Sequence, residues 1–275
     1  MHTSRGDGWE LAWRAPRSAA ARYYAGFAEK LAQPRQSVEW ATPAARLVMV
    51  FDTTMGVTTP ALGAAVQVGT FVAGPRSTPV FVDQQGSFRG VEIGLTVKGA
   101  ASFLGTHLGD LGARVAPLAD VIGRRASEIH DRLAMTPEWG DVFDIIDGYL
   151  QPSDAAPLDP RLCWAWDTIE HAHGRLRIDS IAEELGWSRR HFAARFRRAF
   201  GVTPKVAARL FRFDCATRLL HNGLAPGRVA ADCGYFDQAH MHRDFASFAR
   251  CAPGVASAAY GTGGGLGSAW PPAGT

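Results

Sequence analysis

The sequence predicts an α+β protein: a sheet-rich N-terminal domain with helices, then an all-α domain of two helix-turn-helix bundles joined by a long helix. Three observations predict it. Before Gly99 the apolar residues come in short, β-branched runs bounded by Gly and Pro. After Gly99 they recur at helical spacing. The stretch Ile178 to Pro204 also returns, imperfectly, from Val229 to Pro253, which implies one supersecondary unit used twice.

In the first domain, the residues up to about Trp40 are mixed. Ala20 to Leu31 suits either a short helix or a strand lead-in around Tyr23-Tyr24. Arg46 to Asp52, Ala65 to Ala73, Pro79 to Asp83 and Gly90 to Val97 read as strands. The last alternates Val91, Ile93, Leu95 and Val97 with Glu92, Gly94 and Thr96, the pattern of a strand with a core on one side. Such strands in succession, without long helices between them, predict a small sheet or barrel. Ala100 to Leu104, Leu118 to Leu133 and Pro137 to Leu150 read as helices, with Thr136 placed to cap the helix that starts at Pro137. Gln151 to Pro160 (QPSDAAPLDP) is rich in proline and short polar residues and marks a boundary. The predicted division is 1–157, 158–260, and a Gly-rich tail at 261–275 that cannot pack a core and is expected to be disordered.

In the second domain, Leu162 to His173 is a helix that Gly174 ends. Ile178 to Pro204 is two helices joined by a tight turn. Ser188 caps the second of them. Phe192, Phe196 and Ala199 face inward; Arg190, Ala194, Arg197 and Arg198 face out. Thr203-Pro204 opens a long helix that Asn222-Gly223 stops. Val206, Leu210, Phe213 and Leu220 form one apolar face of it, and Phe211, Cys215 and Leu219 the other, so it needs partners on both sides. In the repeat, Ala230 falls on Ala182, Gly234 on Gly186, Tyr235 on Trp187, Phe245 on Phe196 and Pro253 on Pro204. One extra residue sits in the second turn, so Asp237 is the cap opposite Ser188.

Charge is unevenly distributed. The 275 residues carry a net charge of +3. Residues 160–260 hold 15 Lys/Arg against 9 Asp/Glu, and the remainder 14 against 17. Between Leu185 and Phe213 there are eight basic residues and no acidic one, which points to a polyanion partner. No apolar run is long enough to span a bilayer, and the start, MHTSRGDGWELAWR, has no signal-like apolar stretch. A cytoplasmic protein with no membrane partner is expected. Cys163, Cys215, Cys233 and Cys251 are far apart and form no C-x-x-C, so zinc and redox motifs are unsupported and free thiols are expected. Only His2, His107 and His130 precede the boundary, too few ligands for a metal site. There is no G-x-S-x-G elbow, and no cysteine before Cys163 that could serve the first domain as a nucleophile. The expectation is a protein that is not an enzyme, with no metal and no cofactor.

The run Gly234, Tyr235, Asp237, Gln238, His240, Arg243, Phe245, together with IAEELGWSRRHFAARFRRAFGVTP and the long connecting helix, resembles the DNA-binding domain of the AraC/XylS family of bacterial transcription regulators. One departure stands out: Arg250-Cys251-Ala252-Pro253 occupies the place of the family's usual Gly-x-Thr/Ser-Pro. The front part is similar to the sheet-rich, cupin-like sensor domains that often precede this module. The resemblance implies a sequence-specific regulator of double-stranded DNA that docks two recognition helices in successive major-groove turns. It also implies RNA polymerase as a further partner. The N-terminal domain would take a small-molecule effector, or would only form a homodimer; a DNA-associated enzyme is the remaining alternative. By register, Ser188, Arg189, Arg190 and Ala194 in the first copy, and Gln238, Ala239, His242 and Arg243 in the second, stand where base edges would be met. Arg suits guanine O6 and N7, and Gln suits adenine N6 and N7. Arg197, Arg198, Lys205 and Arg209 are the expected phosphate contacts.

Overall fold

The computed structural model describes residues 1–59, 65–112, 115–151 and 158–259. The Gly-rich tail expected to be disordered, and most of the boundary stretch, lie outside these residues. The chain divides into two units. One is Met1–Ser37, Ala44–Gly74 and Phe81–Pro157; the other is Val38–Pro43, Pro75–Val80 and Leu158–Thr275.

In the first unit, the β-branched and aromatic runs pair into antiparallel ladders. The strands, in chain order, are β1 (His2–Gly6), β2 (Trp9–Arg14), β3 (Ala21–Lys30), β4 (Arg35–Glu39), β5 (Ala45–Val50), β6 (Met55–Thr58), β7 (Val66–Val68), β8 (Thr70–Ala73), β9 (Val80–Gln84), β10 (Ser87–Leu95) and β11 (Val115–Pro117). They form a seven-stranded sheet in the order β1-β2-β3-β10-β5-β8-β11 and a four-stranded sheet in the order β4-β9-β6-β7. Ala20 to Leu31 resolves as strand, and the mixed start holds β1, β2 and β4 as well.

β10 sits between β3 and β5, with Ile93 opposite both Tyr24 and Leu47. Its alternation implies a core on one side only, but both sides are buried. The helices of this unit are α1 (Val97–Leu104), α2 (Leu118–Ile122), α3 (Arg125–Ala134) and α4 (Trp139–Tyr149). α4 covers one face of the sheet. Gly26 makes room for it: a Cβ there would lie 2.2 Å from the Trp139 ring. The Tyr24 hydroxyl donates to Asp147 at 2.6 Å, and Arg14 grips Asp147 and Asp144, each at 2.6 Å. Burial, reinforced by the hydrogen-bonded Asp147 carboxylate, pushes the Tyr24 hydroxyl far above its ordinary range and keeps it a neutral donor. On the opposite face Glu92 is 1% exposed, accepts from the Tyr23 hydroxyl and lies 3.5 Å from Arg46 Nε. A buried carboxylate is tolerated there because a donor and a cation meet it. The helix expected over Leu118 to Leu133 is broken at Gly123, which takes a left-handed φ of 61° and separates α2 from α3.

The second unit is helical: α5 (Pro160–His171), α6 (Ile178–Glu184), α7 (Arg189–Phe200), α8 (Pro204–His221), α9 (Pro226–Asp232), α10 (Gln238–Phe248) and α11 (Pro253–Ala259). α8 is the spine that its two apolar faces required. Phe211 meets Trp166 of α5 with ring centroids 5.4 Å apart. Phe213 meets Phe245 and Phe248 of α10 at 4.8 and 5.4 Å. The short segments 38–43 and 75–80 belong to this unit and pair with each other through a backbone bridge between Thr42 and Arg76. There the Trp40 ring sits edge-on to Phe213, and the Ala41 N–H donates to the Phe248 carbonyl at 2.9 Å.

Candidate nucleic-acid interface

The two helix-turn-helix copies are closed by the same local chemistry. α6 ends where the Gly186 N–H reaches the Glu183 carbonyl and the Trp187 N–H reaches Ala182, at 3.0 and 2.9 Å. α9 ends where Gly234 reaches Ala231 and Tyr235 reaches Ala230, at 3.1 and 2.9 Å. Both glycines adopt left-handed φ, 65° and 74°, as this closing geometry demands. Each recognition helix is then started by a side-chain cap. The His191 N–H donates to Ser188 Oγ at 3.2 Å, and the His240 N–H to Asp237 Oδ1 at 2.6 Å. In each copy a histidine edge packs on the turn aromatic, His191 on Trp187 and His240 on Tyr235, with centroids 5.1 and 5.3 Å apart.

The inner faces are apolar and buried: Phe192, Phe196, Ala199 and Phe200 on α7, and Met241, Phe245 and Phe248 on α10. The outer faces hold most of the residues expected at DNA. Ser188, Arg189, Arg190, Ala194, Arg197, Arg198 and Lys205 are exposed, as are Gln238, Ala239, His242 and Arg243. Arg189 is 72% exposed and pairs with Asp179 at 3.0 Å, a surface contact that competes weakly for it.

Arg209, expected at a phosphate, is partly exposed; its Nε and Nη2 donate to Asp244 Oδ1 at 3.1 and 2.6 Å, and its guanidinium lies 4.8 Å over the Phe248 ring. Asp244 is 2% exposed, so this pair ties α8 to the recognition helix α10 from inside. Arg195 is spent in a similar way. It pairs with Asp159 at 3.0 Å and lies over the Trp187 ring. Asp159 caps α5 through the Arg161 N–H. The Arg161 side chain, followed by its N–H and the Arg195 charge, holds the Asp159 carboxyl below the usual carboxylate range.

Two features were not anticipated. Phe236, the extra residue of the second turn, is 93% exposed immediately before the cap of α10. An unshielded ring at the start of a recognition helix is suited to a thymine methyl. The second is at the close of the repeat. Gly201 ends α7 with a φ of 83°, and Arg250, its counterpart after α10, takes the same left-handed region at 58°. The turn is therefore kept without the glycine, at the steric cost that a Cβ brings there. Arg250→Gly is expected to stabilise the protein by roughly 0.5–1 kcal/mol, the relief of that strain less the added chain entropy. Chemical denaturation of the two proteins would measure the gain; an unchanged or lowered midpoint would mean the turn is not strained.

Comparison with known proteins agrees with this architecture. Residues 181–258 match a helix-turn-helix domain family. Over 72 residues the chain is 32% identical to an uncharacterized HTH-type transcriptional regulator, YbfI, of Bacillus subtilis strain 168; the match spans 26% of each chain. The crystal structure of ToxT from Vibrio cholerae O395 superposes with a TM-score of 0.50 at 11% identity, over 85% of this chain and 96% of that one. A structure of apo ToxT K231A from Vibrio cholerae strain SCE256 gives the same score at 12% identity, over 89% and 98%. At that identity the likeness is one of fold: a sheet-rich region followed by a helical one.

Proposed function

We propose that the chain is a DNA-binding transcription regulator of the AraC/XylS type and that it binds operator DNA with α7 and α10 in successive major-groove turns. The observation that carries this reading is the duplicated, side-chain-capped helix with an apolar back and an exposed polar front. In it, Arg190, Ala194 and the turn residues Ser188 and Arg189 read one half-site. Gln238, Ala239, His242 and Arg243 read the other. Arg197, Arg198 and Lys205 meet phosphates, fixing register and affinity rather than sequence. The first copy supplies more of the salt-dependent affinity and the second more of the polar base selection.

The first unit is the regulatory part of the proposal. A cleft of about 360 Å3 is lined by Arg35, Gln36, Thr54, Gln67, Asp83 and Gln85 among others. That is ligand-sized, and its amides and charges suit a small polar effector. A thermal-shift screen of the full chain against a metabolite panel tests this. Stabilisation lost in Gln67→Leu would place the effector there, whereas no stabilisation, with a dimer in sedimentation, favours an N-terminal unit that only dimerises. We propose that the protein acts in the bacterial cytoplasm, with RNA polymerase as its further partner.

DNA selection from a random duplex pool tests the reading itself. Arg190→Ala and Arg243→Ala are each expected to cost about 1–3 kcal/mol on the selected site and to relax one position in opposite halves. Arg197→Ala should weaken all sequences alike and lower the salt slope by about 1. If neither Arg190→Ala nor Arg243→Ala weakened specific binding, the reading face would be wrong.

A further inference from the structure

Tyr235 and Phe236 are adjacent aromatic residues that the fold treats in opposite ways. Tyr235 is 5% exposed. Its N–H closes α9 on the Ala230 carbonyl, the Arg212 guanidinium lies 5.6 Å over its ring, and the His240 ring meets it edge-on. Phe236 is 93% exposed, more than any other large apolar side chain among the described residues. In the first copy one aromatic residue serves the turn. Trp187 is half-buried under the guanidiniums of Arg161 and Arg195 and directly precedes the cap, Ser188. The second copy gives that packing to Tyr235 and then adds Phe236 before its cap, Asp237. The added ring is therefore not what closes the turn or fills the core.

The backbone on either side of Phe236 is fixed. The Tyr235 N–H is bonded at 2.9 Å on one side, and on the other Asp237 Oδ1 accepts from the His240 N–H at 2.6 Å. Phe236 thus stands at the entry to α10, next to the exposed Asp237, Gln238 and Ala239. In a docked helix-turn-helix, the start of the recognition helix is the part that meets base edges in the major groove. An uncharged ring there has nothing to offer a phosphate. The one apolar group that the base pairs present in that groove is the C5 methyl of thymine.

We propose that Phe236 is a specificity-determining residue of the second half-site, its ring packing on the C5 methyl of one thymine at the edge of the base pairs that Gln238 and Arg243 read. The proposal rests on the DNA-binding reading of α10. Selection is by loss of contact and by desolvation. Cytosine lacks the methyl, and the purines present polar edge atoms that the ring would cover without giving them a partner. The first copy has no residue in this place, since Ser188 follows Trp187 directly. The thymine contact therefore marks one half-site only and helps to fix the direction in which the chain lies on its operator.

The test uses the full chain and the operator selected from the random pool. Each thymine of that operator is replaced in turn by deoxyuridine, which removes the methyl and keeps the hydrogen-bonding edge. For the wild type, one replacement in the half-site assigned by Arg243→Ala is expected to weaken binding about fourfold, the equivalent of one methyl returned to water. Phe236→Ala should bind the thymine operator at least about fourfold more weakly than the wild type. It should ignore that one replacement and respond like the wild type to all others. Phe236→Leu, which keeps an apolar side chain, should keep most of the preference. The denaturation midpoint of Phe236→Ala should match that of the wild type, because so exposed a ring holds nothing together. A half-site in which no thymine methyl matters, or equal sensitivity in wild type and Phe236→Ala, would overturn the proposal and leave the ring to a protein partner. A lowered midpoint with weaker binding to every operator variant alike would overturn it in favour of a role in holding the turn. If the wild type selected no operator at all, the DNA reading of α10 would fall and take this contact with it. A selected operator that is indifferent to Phe236 would remove the contact alone.

Discussion

Replacing Trp166 with alanine is expected to destabilise the C-terminal unit by roughly 4 kcal/mol, the upper range for removing a buried aromatic. Trp166 is 1% exposed and packs on Phe196 and Phe200 of the first recognition helix and on Phe211 of the spine, with centroids at 5.7, 4.8 and 5.4 Å. No other side chain among the described residues joins α5, α7 and α8 through ring contacts in this way. Its loss would leave a cavity at the base of the first copy, and α7 would no longer be held with its arginines outward. Chemical denaturation followed by tryptophan fluorescence would read the stability, and DNA titration the loss of the α7 half-site. Trp166→Phe, which keeps a ring in place, should recover most of both. A change below about 1 kcal/mol for the alanine variant would mean that the core of the first copy lies elsewhere.

Arg209→Ala is expected to cost roughly 3 kcal/mol, because it strands the Asp244 carboxylate inside the second copy without its cation. Asp244 has only Arg209 as an ion-pair partner among the described residues, and it sits on the recognition helix itself. The double variant Arg209→Leu with Asp244→Leu should regain much of that loss, since an apolar pair can replace a buried ion pair at little cost. This separates the positioning role from the phosphate contact that the resemblance implied for Arg209. A phosphate contact would leave the denaturation midpoint alone and lower the salt slope of DNA binding. A positioning residue moves the midpoint and weakens the α10 half-site at every salt concentration.

Arg209 also illustrates what sequence reading captured and what it missed. The repeat was legible because its signals are local. Glycine at the turn, an acceptor at the cap and phenylalanines at helical spacing are each set by a few adjacent residues, and Ser188, Asp237, Gly186 and Gly234 all take the positions expected of them. The α8 spine was legible for the same reason, since residues such as Phe211 and Phe213 require partners on different sides. Partners distant in sequence were not legible. Arg209 and Asp244 are 35 residues apart. In the sheet, β10 looked half-exposed because Glu92 and Gly94 break its apolar run. The Tyr23 hydroxyl and Arg46 make Glu92 tolerable in the interior, and the Tyr23 ring occupies the space where a Gly94 side chain would go. β1, β2 and β4 are short and polar, and their strand character comes from pairing rather than from pattern. Phe236 had a visible signal, the one surplus residue in the second turn, but its exposure could not be read from spacing.

The claim that one chain carries two recognition helices for one duplex is tested most directly by hydroxyl-radical footprinting of the purified protein on its selected operator, at a measured stoichiometry of one chain per duplex. Two protected backbone tracts are expected on one face of the DNA, about one helical turn apart. Arg190→Ala should thin one tract and Arg243→Ala the other. A single protected tract per chain, or both substitutions thinning the same tract, would contradict it.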